Sequence, residues 1–463
     1  MVLLGLLAVA AGCGGQEGNV ELDVVSPGTG SVFAGLTTVR LSVLREGAAV
    51  LMKEGPVGAA GQIDLDLSIP ATGVLGDVRL EGLDAVGTVK VRGRLPPLEL
   101  VSSTGVLKLW VAPVGASAKL PATMPVAVSR PAGVALPFGA LLAGGAAAGD
   151  VASTQMLVWN QFFLELQPGA ALPGARKGLC AVGTDVLGGV LLFGGADETG
   201  AVKADLWRFD TTAPPMGTYS SIAVPEVAGL ARRDARAVQL GDLALVAGGS
   251  TSTGNADGAL LVTLPSVTAT GGAIFIGSTA RSGPALAASG GGVVVLGGGT
   301  PERFLATPTP GFSPINAPSM LDMIAGSVGA TLPDGRVVVA GGRLGSSASG
   351  APSRSLFVYA PSPTQTITEL PDALATARAD ATVTVVGGEV LIAGGRDMLM
   401  APLADAEVFD ATTLARLRVV PLSGPRFDHT AILLGNGTVL LAGGQSATDT
   451  PLATLELYTP EKL

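Results

Sequence analysis

Histidine occurs once, cysteine twice and tyrosine three times in 463 residues, and charged side chains make up only 14% of the chain. A single histidine excludes a histidine-rich metal centre. It also leaves general-base chemistry one candidate of that type, His429. Two cysteines exclude a disulfide framework. A net charge of −9 with no Lys/Arg-rich stripe excludes a nucleic-acid surface. Long uninterrupted apolar runs are scarce as well. The two least charged stretches after the N-terminus, residues 131–149 and 258–280, are broken by Gly, Pro or Thr and read as buried strands rather than membrane spans.

What is abundant is glycine, 67 residues, and proline, 32, set between short runs of Val, Leu, Ala and Ile. That punctuation predicts many short strands joined by turns. The length leaves room for two or three domains. An apolar strand ending in Gly-Gly occurs seven times, with its last glycine at Gly145, Gly195, Gly249, Gly299, Gly342, Gly395 and Gly444. The steps are 50, 54, 50, 43, 53 and 49 residues, the length of a four-stranded propeller blade. The flanks repeat too. Upstream stands Arg-x-Asp/Gly, at Arg176-Lys177-Gly178, Arg232-Arg233-Asp234, Arg281-Ser282-Gly283, Arg378-Ala379-Asp380 and Arg426-Phe427-Asp428. Downstream, Trp159, Phe209, Phe409 and Tyr458 follow the second glycine at a constant interval, and Tyr359 and Leu264 take the same role after a slightly longer loop. The glycines predict strand ends where neighbouring backbone approaches too closely for a side chain. The aromatic predicts the contact that packs one blade on the next. Arginines recurring once per blade predict a structural role, bonding strand ends or carboxylates such as Asp234, Asp380 and Asp428.

Residues 117–463 thereby resemble the Kelch repeat, a four-stranded blade marked by a glycine doublet and a downstream aromatic. The resemblance implies an all-β fold whose larger part is a seven-bladed Kelch-type β-propeller, residues 114–463. The tryptophan usual on the fourth strand is missing. The fourth blade, around Arg303-Phe304-Leu305, and the fifth, with Ile324 in the arginine position, are degenerate. Tyr458 falls on the third strand of the last blade and the sequence stops five residues later. The missing fourth strand is therefore expected from the N-terminal side, at residues 116–120, because Leu120-Pro121 followed by Arg130 has the shape of an inter-blade linker. Closing the ring this way removes a free sheet edge.

Residues 19–113 lie outside the repeat. Period-two alternation, as in Ile63-Asp64-Leu65-Asp66-Leu67 and Val78-Arg79-Leu80-Glu81, predicts a small antiparallel β-sandwich, immunoglobulin-like or transthyretin-like. Residues 1–12 form a short apolar run ending in Ala10-Ala11-Gly12, directly before Cys13. This resembles the lipobox of bacterial lipoproteins and implies a signal peptide over residues 1–12, lipidation of Cys13 and a linker over 13–18. Gly14 after the cysteine implies sorting to the outer membrane. Cys180, between Leu179 and Ala181, reads as an inert buried thiol.

The residues offer little chemistry. Galactose oxidase-like Kelch enzymes need two histidines and a cysteine-linked tyrosine, and the Ser-x-Asp-x-Gly-x-Thr-Trp repeats of sialidases are absent. The expectation is a monomeric, non-catalytic envelope module without metal or cofactor. It binds protein or polysaccharide of the cell envelope and meets the membrane through its lipid alone. A carbohydrate-active enzyme and a purely structural envelope component are the alternatives. The loops after the glycine doublets vary while the strands around them repeat, which marks them as binding loops on a rigid scaffold. Their candidate contact residues are Asp197, Glu198, Arg343, Arg396 and Asp397.

Overall fold

A computed structural model describes residues 19–462, apart from 101–105, 185–188, 214–216, 228, 264–272, 282, 317–325, 346–349 and 363. The proposed signal peptide and Cys13 lie outside these residues. Seven four-stranded antiparallel sheets follow one another along the chain. The first runs from Ala132–Leu136 to Glu165–Pro168, and the second from Lys177–Gly183 to Thr218–Ile222. The sixth runs from Thr382–Val386 to Arg416–Pro421. In the seventh, the strands Thr430–Leu433, Val439–Ala442 and Thr454–Thr459 are completed by Ala116–Thr123 from the other end of the chain. Each blade's first strand contacts the first strand of the next, and the seventh contacts the first, so the ring is closed. The fold is an all-β, seven-bladed propeller. The segments 131–149 and 258–280 contribute blade strands.

The glycine doublets have one structural cause. Both glycines of a doublet have positive φ, as at Gly394 (59°) and Gly395 (100°). The second donates its N–H to the carbonyl of the next blade's arginine: Gly145 to Arg176 at 2.9 Å, Gly195 to Arg232 at 2.9 Å and Gly395 to Arg426 at 2.8 Å. A Cβ on the first glycine would stand 2.6, 2.5 and 2.3 Å from that same carbonyl oxygen. The doublet is the seam between blades, and only glycine permits it. In the fourth blade the two positive-φ glycines are Gly297 and Gly298, not Gly299. The extra glycine displaces the sequence count by one.

Strand register also reassigns one packing position. Trp159, Phe209, Tyr359, Phe409 and Tyr458 pair with Ala140, Val190, Val337, Val390 and Val439 on the second strands. The same register position is Val262 in the third blade and Phe304 in the fourth. All seven side chains are buried. Leu264, expected in the third blade, lies outside the described residues.

The N-terminal unit joins Ala48–Pro56, Thr38–Arg45, Leu75–Leu83, Val89–Arg94, Val106–Pro113, Asn19–Val25 and Ile69–Pro70 in one hydrogen-bonded path, in that order. Its inward residues, among them Val20, Leu41, Val43, Leu80, Val91, Leu109 and Val111, form one apolar cluster. The outward positions carry cross-strand ion pairs such as Arg92–Glu81 and Arg94–Asp77. The unit is not isolated from the ring. Trp110 belongs to the core beneath blades one and seven, with Leu120, Trp159, Leu440 and Leu457. Phe162 and Phe163 of the first blade pack in return on the N-terminal core.

Candidate functional site

In a four-stranded antiparallel blade, the first and third turns emerge on one face of the ring, and the second loop and the inter-blade linker on the other. The N-terminal unit occupies the turn face at blades one and seven. There Lys108 donates its N–H to the Phe162 carbonyl at 2.8 Å, and Gly435 backs onto Pro96. The loops that follow the glycine doublets stand on the opposite face, around the mouth of the central channel.

The mouth is built from one repeat position. The third position of the triplet has positive φ in all seven blades, including the two where the Arg-x-Asp/Gly pattern is lost: Arg130, Gly178, Asp234, Gly283, Gly326, Asp380 and Asp428. Where neighbours meet, the backbone N–H of one donates to the carbonyl of the previous one, Asp234 to Gly178 at 2.8 Å, Asp428 to Asp380 at 3.1 Å and Arg130 to Asp428 at 2.7 Å. Left-handed backbone explains the glycines and the aspartates. Arg130 is the exception. Its spacing from Leu120-Pro121 gives it the look of a blade arginine, but the buried position in the first blade belongs to Val128, and Arg130 stands two residues further on, at the mouth.

Arg130 reaches Asp234 of the third blade at 3.6 Å, Asp150 at 3.8 Å and Asp428 at 3.9 Å. These are ion-pair distances, longer than direct hydrogen bonds. Its Nε has no acceptor among the described residues. Around it stand charge pairs with tighter geometry. Lys177 donates to Asp150 at 2.5 Å, and Asp380 accepts from Arg343 Nη2 at 2.5 Å and from Arg396 Nε at 2.8 Å. Burial pushes the Asp428 carboxyl up to about 6, with Arg130 pulling against it and Asp380 adding to the rise. His429 follows directly. It is buried, its Nε2 lies 2.9 Å from Thr382 Oγ1, and desolvation with the Arg426 charge pushes it down to about 3. It is a neutral packing residue between blades six and seven at neutral pH.

The five arginines of the triplets lie deeper. Arg232, Arg281, Arg378 and Arg426 are fully buried and Arg176 nearly so. Bonding to strand ends is what Arg232 does: among the described residues it donates only to backbone carbonyls, such as those of Gly248, Gly258 and Asp257. The carboxylate partners of the others are not Asp234, Asp380 or Asp428. Arg281 pairs with Glu302, Arg378 with Asp405 and Glu407, Arg426 with Glu456, and Arg176 with Asp205. Glu302, Glu407 and Glu456 each stand two residues before the packing aromatic. In the second blade that position is Trp207, and the Arg176 guanidinium lies 4.8 Å from its ring centroid. Cys180 is buried, and desolvation raises its thiol to about 12.

The five candidate loop residues separate into three kinds. Arg343 and Arg396 meet at Asp380 beside the mouth, and the Arg396 guanidinium lies 4.3 Å from the centroid of the Phe427 ring. Asp197 and Asp397 shape their own loops. Asp197 accepts from the N–H groups of Thr199 and Ala201, and Asp397 from those of Leu399 and Ala401. Lys203 at 2.7 Å and these bonds hold the Asp197 carboxyl below the ordinary range. Glu198 is exposed at its loop tip. Changes at Arg343, Asp197 and Asp397 therefore disturb loop structure as well as any contact, and Arg343 itself is only 5% exposed. Sequence reasoning used Arg130 only as the mark of a linker and missed its place at the mouth, and it missed Asp150 altogether.

No curated protein matches the chain by sequence. The Kelch motif matches residues 377–421, which span the sixth blade from beside Arg378 to the end of its fourth strand. That blade is similar to a Kelch motif, and the other six blades share its four-stranded antiparallel build.

Proposed function

We propose that this chain is a non-catalytic binding module of the cell envelope that engages a protein partner with the loop face of its propeller. The single observation that carries this reading is the asymmetry of the ring. One face is partly occupied by the N-terminal unit, whereas the other carries a charged mouth and variable loops on a rigid, repeated scaffold. Support for a non-catalytic role comes from His429, buried and neutral, and from Cys180, buried and protonated. The N-terminal unit serves in this reading as a small sandwich-type spacer between Cys13 and the ring.

Photo-crosslinking in cells tests the face. A photoreactive residue replacing Glu198 or Asp449 is expected to yield a covalent protein adduct, and one replacing Asp242 or Asp334, on first-to-second-strand turns, none. Adducts from the turn positions alone would reverse the assignment. The anchor has its own test. Metabolic palmitate labelling is expected in the native protein and should vanish in Cys13→Ser, and undiminished labelling of the variant removes the lipid from the reading.

A further inference from the structure

Two seams of the ring are built on one plan and differ by a carboxylate. Tyrosine takes the packing position in the fifth and seventh blades, at Tyr359 and Tyr458. Each packs on the preceding blade, whose first turn is Ser289-Gly290-Gly291-Gly292 in the fourth and Val386-Gly387-Gly388-Glu389 in the sixth. The two turns hold the same register, Ser289↔Gly292 and Val386↔Glu389. A Cβ on Gly290 would stand 3.0 Å from Pro361 and one on Gly387 3.2 Å from Pro460, and each proline follows its tyrosine by two residues.

At the seam of blades six and seven the phenol is satisfied. Tyr458 Oη donates to Glu389 Oε2 at 2.5 Å and accepts from Arg418 Nη2 at 2.8 Å, and the same Nη2 donates to Glu389 Oε1 at 2.8 Å. At the seam of blades four and five the position of Glu389 belongs to Gly292, which brings no side chain. The register counterpart of Arg418 is Ser313, and an arginine stands instead on the third strand, Arg303, opposite Val294. Val294 shares a cluster with Tyr359, so Arg303 faces the same tyrosine. Its Nη2 donates to the Gly290 carbonyl at 2.5 Å, its Nε is buried without an acceptor, and no carboxylate among the described residues pairs with it. The Tyr359 hydroxyl, on a side chain 0% exposed, likewise has no partner among them. Burial pushes this phenol up, and the Arg303 charge pulls against it.

Two buried donors, one of them on a permanently charged guanidinium, call for an anionic acceptor. The other seam says which anion. There the chain itself supplies a carboxylate, and the Glu389 side chain beyond its Cα is a propionate. Gly292 is buried whereas Gly290 and Gly291 are exposed, so the position lies just beneath the turn face. A Cβ on Gly290 would also stand 3.3 Å from Arg303 Nη2, which leaves passage only for a slender group.

We propose that the seam between blades four and five binds a small organic acid, whose carboxylate accepts from Tyr359 Oη and Arg303 Nε as Glu389 accepts from Tyr458 and Arg418. This site is on the opposite face from the variable loops and does not depend on the loop-face reading.

Propionate is the probe. Protein made with fluorotyrosine carries three fluorine reporters, Tyr219, Tyr359 and Tyr458, and Tyr359→Phe identifies the Tyr359 signal. Propionate added at constant ionic strength should move the Tyr359 signal saturably and leave the other two in place. Propionamide, of the same shape without the charge, should leave all three unmoved. Arg303→Met, shown to be folded by unchanged Tyr219 and Tyr458 signals, should bind propionate about tenfold or more weakly, the effect of losing a charge-assisted hydrogen bond. Should that variant not fold, the native protein decides alone. A Tyr359 signal unmoved by propionate, or moved equally by propionamide or by sulfate, overturns the carboxylate site, as does undiminished affinity in Arg303→Met. Tighter binding of N-acetylglutamate methylamide than of propionate assigns the position to a polypeptide side chain and overturns the free acid.

Discussion

A chain beginning after Pro121 is expected to aggregate or to melt far below the native protein. It loses most of the strand Ala116–Thr123, which pairs with Thr454–Thr459 from Thr123↔Thr454 to Ala116↔Thr459. The third strand of the seventh blade then becomes an open edge. Leu120, 1% exposed, is removed from beside Leu457 and Trp159. One buried leucine and the lost strand hydrogen bonds together amount to about 5 kcal/mol or more. A chain beginning at Val114 keeps the closing strand, and the sequence alone suggests that it should be fully soluble. The structure adds a cost, because Trp110 lies in the propeller-side core and is 4% exposed. Removing it is expected to cost about 3–5 kcal/mol, as for truncating a buried aromatic. The expected order of melting is native, then the Val114 start, then the start after Pro121. Coincident melting of the two truncated chains would show that the closing strand contributes nothing.

Arg378→Met is expected to destabilise the protein by about 3–5 kcal/mol in urea unfolding, because it leaves the buried Glu407 carboxylate with only the longer, half-exposed contact to Arg416 at 3.5 Å. Arg378 and Glu407 are both fully buried. Arg378 also donates to the Gly394 and Asp405 carbonyls at 3.0 and 3.1 Å, so one guanidinium joins the first glycine of the doublet to the third strand of the same blade. Glu407 in turn accepts from the Ala375 and Thr376 N–H groups of the preceding linker, at 2.8 and 3.1 Å. Glu407→Leu should be comparably harmful. The double variant Arg378→Met with Glu407→Leu should lose less than the sum of the singles, since it removes the fully buried charges together and leaves only the more exposed Asp405 and Arg416 without these partners. Additive losses would show that the two residues act independently.

The parts of the fold legible in the sequence were those that backbone geometry forces on every blade. A seam that admits only glycine must write glycine seven times, and a packing site that needs large apolar area writes an aromatic at most of its positions. Such constraints survive in a single sequence because the repeat supplies its own comparison. Legibility fails where side chains choose among neighbours. The carboxylates that meet the buried arginines come from the third strand, and sequence proximity suggested Asp234, Asp380 and Asp428 instead, which point to the mouth. Arg130 has the residue type of a buried blade arginine but sits at a different step of the triplet, and only left-handed φ identifies its place. The candidate site was legible as a set of loops. The union of Arg343 and Arg396 at Asp380 was not, because it brings together residues from two loops and from a triplet.

The mixed seventh blade also sets an order of events. Thr123 and Thr454, paired in the finished molecule, are separated by more than 330 residues of chain. Contacts that distant form slowly, because the whole intervening chain must be arranged before its ends can meet. The strand 116–123 is made before any complete blade and has its partner only once the last strand exists. During synthesis it therefore emerges without its partner, which is made about 330 residues later. The closing pair is the most distant strand contact of the ring, and the part of the Trp110 and Leu120 packing that Leu440 and Leu457 supply can form only after the last blade is made.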